Sequence, residues 1–111
     1  MPKIKDHWSF VASLGCCISE GPATLHHCHG GSMIDAFGSN LRGGGQKTSD
    51  WLVVPIAAKY HTGDFGIDNG IAVREWEKEF GYQVDMLLDI NDQLDYCIFD
   101  LSGLPVPERV E

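Results

Sequence analysis

Three of the five histidines in this chain fall within one four-residue window, HHCH, from His26 to His29. The short and mainly apolar approach Ala23–Leu25 predicts a strand that ends at the histidine pair. Successive residues of a strand point to opposite faces of a sheet, so His26 and His27 cannot share one role. One imidazole can face a metal ion while its neighbour faces water or a substrate.

A second strand is predicted at Trp51–Ile56, WLVVPI, which is short, aromatic and β-branched. Pro55 near its end indicates a sheet edge or a strand exit. The residues that follow, Ala57–His61, have the composition of a helical turn and stop before Gly63. Strand, loop, strand and helix form a ββα unit. This order would bring His61 opposite the histidine pair, as a small metal site requires.

The two predicted strands are joined by a loop of about twenty residues between His29 and Ser49 that contains six glycines. Two interpretations of this loop stay open. It can be a flexible connector, because runs of glycine have little specificity by themselves. It can also hold a phosphate group through bare backbone amides and the two cations that it carries, Arg42 and Lys47.

The rest of the chain predicts helices at His7–Leu14, Ile71–Phe80 and Val84–Leu94. Cys97–Leu101 is predicted as a last strand or an extended tail. These elements indicate an α+β fold with a two-stranded sheet and three to four helices. At 111 residues the chain is long enough for one domain and too short for two, so we expect a single domain over residues 1–111.

The charge of the chain is −8 and unevenly distributed. Residues 1–63 carry a net charge of +1 together with all five histidines, whereas residues 64–111 carry −9. This balance argues against a free-standing nucleic-acid binder, because affinity for DNA comes mostly from cations that neutralise phosphates. The acidic half is a candidate solvated face or protein-binding surface.

The location expected from the sequence is the cytoplasm. The chain contains no apolar stretch of membrane-spanning length, and its first residues lack the pattern of a signal peptide. Reduced thiols are expected as well, because no two cysteines have CxxC spacing and two of them are adjacent. The four are Cys16, Cys17, Cys28 and Cys97.

Several short motifs occur in a fixed order: LGC, then HH, GGGQKTSDWLVVPI, HTGDFGIDNG, WEKEFG and a leucine-rich helix. In this order and spacing, over about residues 7–95, the chain resembles the small HNH (ββα-metal) nucleases of phages, specifically the RecA-dependent nuclease or recombination-enhancement family. The resemblance implies a ββα-metal core with flanking helices and a tail at residues 102–111. It also implies a bacterial host cell as the place of action.

The resemblance assigns roles to the histidines residue by residue. His26 corresponds to the metal ligand on the strand and His61 to the ligand on the helix, and Asp68 can join them as a third ligand. His27 corresponds to the general base that takes a proton from water. The implied cofactor is one divalent cation, Mg²⁺ or Mn²⁺, with Zn²⁺ as a further candidate. For Asp68, the role of helix N-cap remains an equal alternative.

The other implied roles concern the substrate and its delivery. Asp50 could orient His27 or the metal shell, and Lys47 or Arg42 could hold a flanking phosphate. The implied substrate is DNA, and a RecA-type recombinase filament is the implied partner. His7 and His29 are assigned only to the surface or to reserve ligand positions.

The chain also departs from the family pattern. Relatives commonly have CxxC where this chain ends the motif with Ser19, and Pro-Leu-Cys followed by two histidines where it has Ala57, Tyr60 and His61. We therefore expect that the structural zinc knuckle of the relatives is absent. Two functions remain open: a metal-dependent DNA endonuclease, or an inactive acidic HNH-like protein that binds a protein or mimics DNA.

Overall fold

The structure is a computed structural model that describes residues 2–38, 49–69 and 71–111. Within these residues it contains two strands and six helices, so it confirms the α+β class and contains more helices than the sequence predicted. In chain order the elements are α1 Ile4–Ser13, β1 Thr24–His27, α2 Gly31–Phe37, β2 Val53–Ile56, α3 Ala58–His61, α4 Val73–Phe80, α5 Gln83–Asn91 and α6 Ile98–Leu101.

The two strands pair antiparallel, and their register aligns His26 with Val54 and His27 with Val53. Every residue of β2 is buried, as its continuous apolar run predicts. In β1 only His26 is buried, whereas His27 remains partly exposed. The expected alternation of the two histidines between faces is therefore confirmed. α3 follows β2 after a single residue, Ala57.

The hydrophobic core lies between the sheet and the helices. α1 packs against β2, α5 packs against the same strand, and α2 contacts both α4 and α5. Trp76 anchors this core from α4, and its indole N–H donates to the backbone carbonyls of Tyr60 and Phe65. These two bonds fix the chain around α3 and the loop that follows it.

α2 lies where the sequence predicted only a loop, so that prediction is wrong for residues 31–37. Two glycines with positive φ lie at the start of the helix, 66° at the N-cap residue Gly30 and 47° at Gly31, the first helical residue, and such glycines are typical of loops. Its packing explains why it forms, because Met33 and Phe37, four residues apart, are both buried. Tertiary contacts thus outweigh the weak helix propensity of its first residues.

The segment Cys97–Leu101 contains α6 rather than a strand or an extended tail, which corrects that prediction. The side-chain oxygen of Asn91 accepts the backbone N–H of Ile98 at 2.9 Å, and Ile98 and Phe99 are buried. After this helix the chain returns to α5. The backbone N–H of Val110 donates to Asp85 of α5 at 2.7 Å, and Leu104, between α6 and this contact, is only 6 % exposed.

None of the helices in the described ranges has both the length and the apolar composition needed to cross a bilayer.

Candidate metal centre

Three side chains from three separate segments meet beside the sheet. His26 lies on β1, His61 ends α3, and Asp68 lies in the loop after α3. One carboxylate oxygen of Asp68, Oδ2, is 2.8 Å from His61 Nε2 and 3.3 Å from His26 Nδ1. One ligand atom from each of the three residues lies within 4.8 Å of the others. The three residues assigned as metal ligands in the sequence therefore converge in the fold.

Asp68 is placed by the backbone of α3 rather than by the helix that follows. Its N–H donates to the carbonyl of His61 at 2.9 Å, and the preceding N–H, of Ile67, donates to Tyr60 at 2.9 Å. α4 begins at Val73, with Ala72 as its N-cap residue. The alternative role of Asp68 as an N-cap is therefore wrong.

The hydrogen bonds around His61 determine which of its nitrogens carries a lone pair. The hydroxyl of Thr24 donates its single proton to the carbonyl of Ile56 at 2.9 Å. The same oxygen lies 2.9 Å from His61 Nδ1, so it must accept a proton from that nitrogen. In the neutral imidazole, Nε2 then presents its lone pair to Asp68. A metal ion between these two atoms would bind both lone pairs.

His26 is fully buried, and its Nδ1 has no hydrogen-bond partner within the described residues. Its Nε2 lies 3.0 Å from the side-chain oxygen of Gln83. Burial lowers the pKa of His26 to about 4, although the nearby carboxylate of Asp68 acts to raise it. The imidazole is consequently neutral at pH 7, as a metal ligand must be. A buried nitrogen without a partner is costly unless something binds it.

The second oxygen of Asp68 contacts a third imidazole. Oδ1 lies 2.7 Å from His29 Nε2, whose ring is 5.3 Å from that of His26 between centroids. Burial raises the pKa of Asp68, but the hydrogen bond from His29 and the surrounding imidazoles outweigh it, so the pKa lies below its usual value. Asp68 is therefore a carboxylate at neutral pH, with Oδ2 directed at the other two histidines.

The donor set fits a small divalent cation. Neighbouring ligands of Zn²⁺ or Mg²⁺ are about 3 Å apart, given metal–ligand distances of about 2.0–2.2 Å. The separations of 2.8 and 3.3 Å around Asp68 Oδ2 match this spacing. Two imidazoles and one carboxylate leave further coordination positions open, and the side chain of Asp68 is 33 % exposed. A bound cation could therefore reach solvent or a substrate on this side.

His27 projects from the other face of the ribbon and joins a second group. Its Nε2 lies 2.9 Å from Asp50 Oδ1, and its ring meets the indole of Trp8 edge-on at 6.1 Å between centroids. The indole N–H of Trp8 donates to the backbone carbonyl of Asp50 at 2.8 Å. Since a carboxylate only accepts, Nε2 carries the proton and Nδ1 of His27 carries the lone pair. Within the described residues no hydrogen bond joins His27 to the metal cluster.

The remaining predicted site residues, Arg42 and Lys47, lie outside the described residues. Three residues that contact the cluster were not assigned to it from the sequence: Thr24, His29 as a partner of Asp68, and Gln83. The HHCH pattern was the only local signal for His29. Nothing in the sequence marks Gln83, because it lies fifty-seven residues from His26 and looks like an ordinary helix residue.

Some of the positions that the resemblance assigns to a zinc knuckle also come together in the fold. The backbone N–H groups of Ala57 and Ser19 donate to Cys16 Sγ at 3.1 and 3.5 Å. Burial acts to raise the pKa of Cys16, but these donors lower it below its usual value. Cys16 and the other three cysteines are free thiols. The site therefore has one thiol where four zinc ligands would be needed.

His7 is not a surface residue, which corrects that assignment. It is 1 % exposed and lies 2.7 Å from the hydroxyl of Tyr96 through Nδ1 and 3.2 Å from the carbonyl of Trp51 through Nε2. Both ring nitrogens are thus used in the core.

A scan against protein-family models and searches among curated proteins and solved structures return no match for this chain.

Proposed function

We propose that this chain is a metal-dependent DNA endonuclease of the phage or prophage type, in which a ββα-metal core hydrolyses a phosphodiester bond with one divalent cation. One observation carries the proposal: His26 Nδ1, His61 Nε2 and Asp68 Oδ2 converge beside β1. The residue that follows His26 on this strand, His27, contacts the carboxylate of Asp50. The buried Nδ1 of His26 makes no hydrogen bond within the described residues, and a cation held together with Asp68 would satisfy it.

The order of the elements supports the same proposal. β1 and β2 pair antiparallel, and α3 follows β2 directly, so one metal ligand lies on the first strand and another at the end of the helix. α2 lies within the connection between the strands and does not interrupt this unit. The side chain of His61 is 17 % exposed, so the cluster is reachable at one side.

In the proposed mechanism His26, His61 and Asp68 hold the cation. When bound, it would polarise the scissile phosphate and stabilise charge on the leaving 3′ oxygen. Nδ1 of His27 takes the proton from the attacking water, because the carboxylate of Asp50 holds the proton on Nε2. The indole of Trp8 restrains Asp50 through its carbonyl and limits rotation of the His27 ring.

Delivery to DNA is the second part of the proposal. A net charge of −8 predicts weak intrinsic affinity for a polyanion. We therefore assign the approach to DNA to the histidine-bearing half, with Arg42 and Lys47 as phosphate contacts. A recombinase filament would supply the remaining binding energy by holding the nuclease at its substrate.

A second candidate function is favoured by the charge distribution and by the lost cysteines. Residues 64–111 carry a net charge of −9, and Ser19 and Ala57 stand where relatives have zinc-binding thiols. An inactive HNH-like protein that binds a protein partner or mimics DNA would have both features. It would have no need for a site that binds a divalent cation.

The experiment that tests the proposal is the nicking of supercoiled plasmid with Mg²⁺, Mn²⁺ or Zn²⁺, with and without a recombinase filament. The wild-type chain is compared with His27→Ala at equal metal content. We expect metal-dependent nicking that His27→Ala reduces by about 10²–10⁴-fold, the usual contribution of a general base. Asp64→Asn, an exposed aspartate in the loop that carries Asp68, is the control and should nick normally.

The outcomes separate the parts of the proposal. Nicking that His27→Ala leaves unchanged contradicts the assigned base. Failure to cleave with every metal, with and without the filament, contradicts the endonuclease and favours the acidic binding protein.

A further inference from the structure

Gln83, the first residue of α5, is fully buried and contacts the imidazole of His26 and the backbone of His29. Its side-chain oxygen lies 3.0 Å from His26 Nε2 and accepts the backbone N–H of His29, also at 3.0 Å. Its side-chain nitrogen donates to the backbone carbonyl of His29 at 2.8 Å. One amide group therefore joins α5 to the metal centre through its two ends.

The orientation of this amide is determined by its partners. The backbone of His29 offers one donor and one acceptor, and only one of the two amide orientations satisfies both. The side-chain nitrogen also lies 3.3 Å from Glu77 Oε2, which can only accept. A flipped Gln83 would place its oxygen against both the carboxylate and the His29 carbonyl. The oxygen of Gln83 is therefore held toward His26.

Glu77 is in turn held by donors. This carboxylate, 2 % exposed, accepts the backbone N–H of Ser32 at 2.8 Å, the Ser32 hydroxyl at 2.5 Å and the backbone N–H of Gln83 at 2.9 Å. No cation contacts it within the described residues, so these hydrogen bonds alone satisfy its oxygens. Burial of a carboxylate is costly unless hydrogen bonds satisfy its oxygens, and here the donors come from α2 and α5.

We propose that Gln83 is a positioning residue, oriented by Glu77 and by the backbone of His29, that keeps the proton of His26 on Nε2 and so presents the Nδ1 lone pair to a divalent cation. The proposal rests on the metal centre of the proposed function and adds the group that prepares it. The oxygen of Gln83 accepts the Nε2 proton at 3.0 Å, whereas the acceptor nearest to Nδ1, Asp68 Oδ2, is 3.3 Å away and makes no hydrogen bond with it. Partners of this kind fix the tautomer and the ring orientation of metal-binding histidines.

The test uses the full-length chain and two independent readouts. Long-range ¹H–¹⁵N spectra of the metal-free protein at pH 7.5 report which nitrogen of His26 is protonated. Competition titration with Zn²⁺ and Mn²⁺ measures affinity. Gln83→Met keeps the shape of the side chain but removes its polar ends, and Gln93→Met is the matched change at an exposed glutamine of the same region.

We expect His26 protonated on Nε2 in the wild type. In Gln83→Met we expect a mixed or Nδ1-protonated His26 and a metal affinity reduced by about 10–100-fold. Gln93→Met should match the wild type in both readouts. If Gln83→Met fails to fold, Glu77→Gln serves instead, because one amide oxygen cannot accept all of its donors and the restraint on Gln83 weakens.

Two results would overturn the proposal. One is a wild-type His26 protonated on Nδ1, which needs no variant to establish. The other is a folded Gln83→Met with unchanged affinity for both metals. Plasmid nicking is measured separately: a wild type that binds metal and never nicks DNA contradicts the endonuclease but leaves the role of Gln83 intact. If the wild type nicks DNA and Gln83→Met binds metal as tightly as the wild type, only the role of Gln83 is contradicted.

Discussion

Thr24 on β1 and His61 on α3 are joined by a hydrogen bond of 2.9 Å across thirty-seven residues of sequence. Because the Thr24 hydroxyl already donates to the sheet, this bond fixes the proton of His61 on Nδ1 and leaves Nε2 facing Asp68. Thr24→Val keeps the shape of the side chain and removes the acceptor. We expect the metal affinity to fall about tenfold while the fold is retained, as measured by competition titration and circular dichroism.

The control for this change is Thr62→Val, which alters an exposed threonine at the end of α3 whose hydroxyl has no partner within the described residues. It should bind metal as the wild type does. Equal affinity in Thr24→Val and Thr62→Val would show that the proton position of His61 does not matter for binding.

The carboxylate of Asp68 contacts three imidazoles, those of His26, His29 and His61. Asp68→Asn keeps the size of the side chain but removes its charge and replaces one oxygen by a donor. We expect metal affinity to fall by about 100-fold or more, since a charged ligand is lost as well as an acceptor. Metal content after dialysis, measured by elemental analysis, checks this prediction. Asp64→Asn should retain the metal of the wild type, and retention in both variants would remove Asp68 from the ligand set.

Asp50 and His27 form the carboxylate–imidazole pair on the other face of the ribbon. Asp50→Asn removes the negative charge that keeps the proton on His27 Nε2 and replaces one acceptor oxygen by a donor, so Nδ1 should be less available as a base. We expect nicking to slow by about tenfold or more with unchanged metal content. The exposed Asp92→Asn is the matched charge change and should nick normally. A loss of metal in Asp50→Asn would instead place Asp50 within the metal shell.

The buried imidazole of His7 makes the free energy of unfolding depend on pH. Burial lowers its pKa below the usual 6.5, and the hydrogen bond to the Trp51 carbonyl only partly opposes this. The unfolded chain therefore binds this proton more readily than the folded chain. The stability that neutral His7 contributes is fully present above about pH 6.5 and is lost as the pH falls toward the lowered pKa.

His7→Gln can still donate to the Trp51 carbonyl and accept from Tyr96, but it does not titrate. We expect this variant to lose about 1–2 kcal/mol at pH 7 from imperfect packing. The decline of its unfolding free energy from pH 7 to pH 5 should be shallower than in the wild type. Urea unfolding with a chelator present measures both quantities. Parallel pH profiles for the two proteins would contradict the assignment to His7.

Local pattern was enough to predict the parts of the site that lie on one strand or follow it closely. The apolar approach to HHCH predicted β1, and the two-residue period of a strand predicted that His26 and His27 face apart. The run WLVVPI predicted β2, although the observed strand begins at Val53. The helical composition of Ala57–His61 correctly predicted that His61 would lie on a helical turn after β2.

Local pattern failed where packing decides the conformation. α2 begins with glycines that predict a loop, yet it forms because its apolar side chains are buried and Glu77 accepts the N–H of Ser32. The same holds for α6. Its first residue, Ile98, is β-branched and favours a strand, but the side chain of Asn91 accepts the backbone N–H of Ile98 at the start of the helix. Long-range partners such as these leave no periodic signal in the sequence.

The sequence by itself determined which side chains can bind a cation at the candidate site, because imidazole nitrogens and carboxylate oxygens are common ligands of divalent cations. Only the tertiary structure decided which nitrogen of each imidazole is available. That choice depends on Thr24 for His61 and on Gln83 for His26, residues thirty-seven and fifty-seven positions away. The acceptor that folding brings next to an imidazole determines which ring nitrogen keeps the proton. Because that acceptor is distant in sequence, no local pattern indicates it.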